Sequence, residues 1–154
     1  MRRLARGVLA GAAGTTALNL ATYADMAVRA RPASTTPDTT VRRTEELTGV
    51  VLPGADEAAR ANRRSGSGAL LGLVTGLASG AAYGLLRPAL GAAPLPVLGA
   101  VAGLIANAGS VAPMATLGVT DPRTWTAESW LSDLLPHAAF GLATAVAFEQ
   151  LRPR

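Results

Sequence analysis

The 154-residue chain has no cysteine, a single histidine and six aromatic residues, and all fourteen of its basic residues are arginine. Without cysteine there is no disulfide, thiolate nucleophile, iron–sulfur cluster or Cys-based zinc site. Without lysine there is no Schiff base and no phosphate-loop lysine. His137 alone cannot build a multi-histidine metal site within one chain. Two each of Trp, Tyr and Phe are too few for a base-stacking platform. Charge is scarce as well, at 16% of residues, against about 25% in an average soluble protein.

The scarcity is concentrated. Residues 7–24, 65–86, 88–120 and 134–148 contain no Asp, Glu or Arg, and these stretches together make up 88 of the 154 residues. A soluble fold intersperses charge along every exposed face, and a disordered chain combines low hydrophobicity with high net charge. Neither describes this chain. The sequence pI of 11.0 suggests nucleic acid at first sight. The formal net charge is only +4, however, and the arginines flank apolar stretches as topology signals do, so no nucleic-acid partner is expected.

The pattern predicts a single all-α domain over 1–154. It is an integral membrane four-helix bundle with spans at about 4–28, 65–86, 96–118 and 127–150, and a polar connector over 29–64. Span one follows Arg2, Arg3 and Arg6. Thr15, Thr16 and Asn19 give it a polar load unusual for a signal-peptide core, so a retained helix is favoured over a cleaved leader. In the connector, Thr36-Pro37 reads as a cap followed by a first-turn proline, and Gly49 as the stop of a short helix. Asp56–Arg64 reads as a polar helical lead into span two. Pro96 starts span three, and a kink or end is expected at Pro113, which cannot donate to the Gly109 carbonyl. Span four needs to start near Ala127, capped by Thr126, to be long enough, which places Asp133 and Pro136 inside it. Trp125 and Trp130 then fall at headgroup level.

Span two carries the strongest periodicity: Gly68, Gly72, Gly76, Gly80 and Gly84 recur every fourth residue. On a helix these share one face, and a glycine groove lets a neighbouring backbone approach closely. Glycine in a soluble helix costs about 1 kcal/mol against alanine, so five in register imply tight packing against another span or a second copy.

Four spans place both termini on one side. Arginine counts of six and eight on the two sides nearly tie, and the basic start of span one favours cytoplasmic termini. Intramembrane polar residues are candidate functional groups. Asn19 on span one, Asn107 and Ser110 on span three, and Asp133 and His137 on span four all fall in the half of the membrane facing the connector. They define a candidate polar vestibule, in which an imidazole beside a carboxylate forms a proton-responsive pair. The competing reading is interhelical hydrogen bonding. No nucleophile elbow, HExxH or phosphate loop occurs, so no enzyme, metal or cofactor is expected.

The segment Asn107-Ala-Gly-Ser-Val-Ala-Pro113-Met, then Leu117-Gly-Val-Thr-Asp121-Pro-Arg-Thr-Trp125, Trp130-Leu-Ser-Asp133, Pro136-His137 and Phe140-Gly141 resembles small actinobacterial integral membrane proteins of unknown function. More distantly, the layout is similar to the YagU-like inner-membrane proteins. Phe140 stands where that family tends to have Tyr, so any role of the hydroxyl is missing. The resemblance implies a multi-pass protein of the bacterial plasma membrane and no settled activity. Its expected partners are the lipid bilayer and either another copy of the chain or a membrane subunit. From the residues, an accessory or structural subunit is the favoured reading, with a small transporter or channel component as the alternative.

Overall fold

The computed structural model describes residues 2–152. The described residues form five α-helices and two short 3-10 turns, with no strand. The helices are α1 (Arg2–Arg29), α2 (Thr36–Thr48), α3 (Glu57–Leu86), α4 (Leu95–Thr116) and α5 (Ala127–Gln150). The 3-10 turns, Arg87–Leu90 and Pro122–Thr124, lead out of α3 and into α5.

Capping explains most of the boundaries. The Asp56 carboxylate accepts from the Ala59 amide, so the polar lead and span two form one 30-residue helix. Thr126 caps α5 by accepting from the Ser129 amide at 3.1 Å. Gly49 closes α2 at φ +71°, its amide donating to the Glu45 carbonyl. Two expectations are corrected. Thr36 is the first helical residue of α2 rather than its cap, and Ser34 Oγ accepts the Thr36 amide instead. The helix end allowed for at Pro113 does not occur either: α4 runs through it to Thr116, near the expected bound of 118, before Gly118, at φ +70°, stops it. The proline removes only the bond to Gly109. Its own carbonyl still accepts from the Leu117 amide at 3.0 Å and from Thr116 Oγ1 at 2.8 Å.

Helix α1 lies between α3 and α5, α4 packs on α5 and on α3, and α2 lies along the first turns of α3. Tyr83, Leu98, Phe148, Ala10, Ala102 and Ala145 form the central core, with Tyr83 and Phe148 in edge-to-face contact at 5.5 Å. Most of the inward positions are small. Gly7 and Gly11 of α1 meet Gly76, Gly80 and Gly84 of α3 backbone to backbone. A Cβ on Gly11 would stand 2.6 Å from the Gly76 carbonyl oxygen, and one on Gly84 only 3.0 Å from the Gly7 Cα. Gly99 and Gly103 of α4 do the same against α5, where a Cβ on Gly103 would lie 2.7 Å from the His137 carbonyl oxygen.

The large aliphatic side chains point the other way. Among the described residues, 23 large hydrophobics are exposed, including Leu9, Leu20, Leu70, Val74, Leu104 and Leu135 at 60% or more, and four are buried. Water would drive leucine in and leave glycine out. Small residues inside and leucine outside is the arrangement of helices packed in lipid, where no hydrophobic drive acts between them. Consistently, α3 with its 3-10 extension, α4 and α5 are each long and apolar enough to cross a membrane.

Candidate functional site

Four of the five vestibule residues come together between α4 and α5. The Asn107 amide donates to Asp133 Oδ2. Ser110 Oγ lies 3.4 Å from His137 Nε2 and donates to the Asn107 carbonyl at 3.0 Å. His137 Nδ1 is 2.7 Å from the Asp133 carbonyl oxygen and 3.5 Å from Oδ1. Helix geometry makes this possible. Asn107 and Ser110 are three apart on α4, Asp133 and His137 four apart on α5, and such pairs share a face. Close approach at Gly103 and Gly141 brings the two faces within hydrogen-bonding reach. The Asp133 and His137 side chains are half-buried, and each of the four residues contacts at least one other member of the quartet.

Asn19 is placed apart. It lies one turn beyond Thr15 on the α1 stripe facing α3, and among the described residues no hydrogen bond joins it to the quartet. Thr15, on the same stripe, sits over Gly76 and satisfies its hydroxyl on the Gly11 carbonyl at 2.8 Å.

The five glycines of the four-residue repeat on α3 divide by neighbour. Gly76, Gly80 and Gly84 face α1, Gly68 faces Pro37 of α2, and a Cβ on Gly72 would meet open space. The groove is therefore interrupted at Gly72, because α1 and α2 approach α3 from either side of that position.

Outside the α4–α5 seam lies a groove of about 420 Å³ lined by Gly99, Ala100, Gly103, Leu104, Asn107 and His137, with Leu134, Ala138 and Leu142 along its far wall. It is apolar except where the quartet ends it.

The connector is anchored by a carboxylate that the sequence reading missed. Glu45 is buried; it accepts the Leu52 amide at 2.7 Å on one oxygen and Arg64 Nε at 2.7 Å on the other. The Leu52 amide, and then the Arg64 guanidinium, hold its carboxyl below the usual range. Glu57 also takes Arg64, at 2.7 Å. The signal was weak in sequence, since Glu45 and Arg64 are 19 residues apart. Trp125 and Trp130 stack edge to face at 4.9 Å beside this end, with Trp125 Nε1 donating to Thr120 Oγ1.

Among the described residues, two buried hydroxyls, Tyr83 Oη and Thr144 Oγ1, have no hydrogen-bond partner. Both sit in the core among the close-packed helices, Thr144 over Gly14.

No family model, curated protein or solved structure matches the chain.

Proposed function

We propose that the chain is a non-catalytic accessory or structural subunit of a membrane, crossing the bacterial plasma membrane four times as a helical bundle. The resemblance of its C-terminal half to small actinobacterial integral membrane proteins, and more distantly of its layout to the YagU-like proteins, points to the same setting. The observation that carries the reading is the closure of the quartet. Asn107, Ser110, Asp133 and His137 hydrogen-bond to one another across α4–α5, which is how polar side chains act as glue between helices in lipid.

The fourth span is α1, which is more polar than the other three. Thr15 and Thr16 return their hydroxyls to carbonyls one turn back, at 2.8 and 3.1 Å. Such bonds remove much of the cost of carrying them through hydrocarbon. At 28 residues α1 is about 42 Å long, enough to cross.

A small transporter component is the second reading, and the groove ending on Asn107 and His137 is what favours it. The natural absence of cysteine allows one experiment to separate the two. Single-cysteine substitutions along α1, α4 and α5 are reacted with a membrane-impermeant thiol reagent in sealed vesicles. A subunit of closed packing labels only at helix ends and in the connector. A labelled track from the connector side through positions 133, 107 and 137 overturns it in favour of a water path.

A further inference from the structure

The end of the molecule opposite the connector carries a different chemistry. Antiparallel packing brings together the start of α1, the end of α3, the start of α4 and the end of α5. Among the described residues, this end holds Arg2, Arg3, Arg6, Arg87 and Arg152 against one carboxylate, Glu149. The connector end holds eight arginines against nine carboxylates. Many of these are paired, as in Arg29 with Asp25 and Glu128, Arg31 with Asp25, Arg43 with Glu46, Arg64 with Glu45 and Arg123 with Asp121. Arginine counts alone make the ends look alike; pairing makes one nearly neutral and the other strongly basic.

The basic end is not a flat patch. Arg3, Arg6, Arg87 and Arg152 line a cavity of about 250 Å³, floored by Phe148 and edged by Pro88. Its walls are built. Arg87 is buried, its Nε on Glu149 Oε1 at 2.6 Å and its Nη1 on the Gly91 carbonyl at 2.9 Å. Arg152 takes the other Glu149 oxygen at 2.8 Å. Glu149 is thus occupied on both sides and orients two guanidinium groups. The Arg6 guanidinium lies over the Phe148 ring, 5.6 Å from its centroid. Four guanidinium groups converging on one cavity with a single carboxylate leave an excess of forked donors, a geometry that matches phosphate oxygens.

We propose that this cavity binds a phosphate group, supplied by the headgroup of an anionic phospholipid in the leaflet at the termini. The lipid source rests on the membrane reading above; the phosphate chemistry does not. Phe148 and Pro88 offer an apolar floor beneath the arginines, as a headgroup joined to acyl chains requires. A polybasic end also belongs with the anionic cytoplasmic leaflet, which agrees with cytoplasmic termini.

The test uses the purified full chain. Flotation with phosphatidylcholine vesicles reads membrane insertion alone, so its failure would strike the membrane reading and not the cavity. Binding of short-chain phosphatidylglycerol and of short-chain phosphatidylcholine is then measured in detergent by native mass spectrometry. Each arginine near an anionic headgroup contributes about 1 kcal/mol, so R3Q/R6Q should bind phosphatidylglycerol roughly thirtyfold more weakly. R3Q alone, at an exposed position outside the core, should lose about fivefold and guards against a folding defect. R42Q/R123Q, the same charge change at the connector end, should bind as the parent does. Equal affinity for the two lipids, or an equal loss in R42Q/R123Q, overturns the proposal. Displacement by millimolar inorganic phosphate would assign the cavity to a free phosphate; resistance to it supports the lipid source.

Discussion

Substituting Gly80 by alanine tests the packing of α1 on α3 most directly. A Cβ there would collide with Gly11 Cα and the Gly7 carbonyl oxygen, and would lie 2.6 Å from the Gly11 nitrogen. All three are backbone atoms, so no side-chain rotation relieves the clash and the helices must move apart. Overpacking of this kind costs about 1–3 kcal/mol. Alanine also improves helix propensity by about 1 kcal/mol, which would mask part of that cost. Gly72 is the internal control, because it lies on the same helix and a Cβ there meets nothing within 4 Å. G72A should gain the propensity term without the clash. The difference between G80A and G72A therefore isolates packing, at about 1–3 kcal/mol. Reversible unfolding in mixed micelles, followed by far-ultraviolet circular dichroism, measures both. A difference within about 0.5 kcal/mol, the scatter of neutral surface substitutions, would refute the backbone contact.

Three further outcomes are expected. N107A should destabilise the chain by about 1–2 kcal/mol in the same assay, because it removes the bond that closes α4 on α5 and leaves Asp133 short of a donor. R87M should cost about 1–3 kcal/mol, less than a fully buried pair, because Glu149 stays partly exposed and keeps Arg152. Docking of α2 should depend on pH. The Glu45 carboxyl titrates below its ordinary value in the folded state, so its contribution is complete above the ordinary glutamate value of about 4.3. The contribution is lost as pH falls through the folded value. The protection of α2 amides, taken relative to the intrinsic exchange rate at each pH, should therefore be constant between neutral pH and about 5 and fall below about 4, and E45Q should abolish that dependence.

Much of the architecture was legible because its causes are local. Helix existence follows from uncharged runs bounded by arginine, and helix ends from Asp56, Thr126 and Gly49, whose capping chemistry acts within a few residues. The half of the molecule holding Asn107, Ser110, Asp133 and His137 followed from spacing and an even alternation of direction. The quartet's closure on itself did not, since it depends on how near Gly103 lets α4 approach α5. Pro113 misled because a proline near a helix end forfeits one bond while the last turn can still form around its own carbonyl.

The sequence by itself determined that the chain is helical, that α3, α4 and α5 are apolar enough for a membrane, and that glycine recurs on one face of α3. Each is a property of composition and period along one helix. Only the tertiary structure decided what that face meets: the Thr15 side chain of α1 at Gly76, backbone of α1 at Gly80 and Gly84, Pro37 at Gly68, open space at Gly72. It also decided which arginines are neutralised. Glu45 reaches Arg64 across 19 residues and Glu149 reaches Arg87 across 62, so the charge at each end is set by which helices lie side by side, and no reading along the sequence contains that.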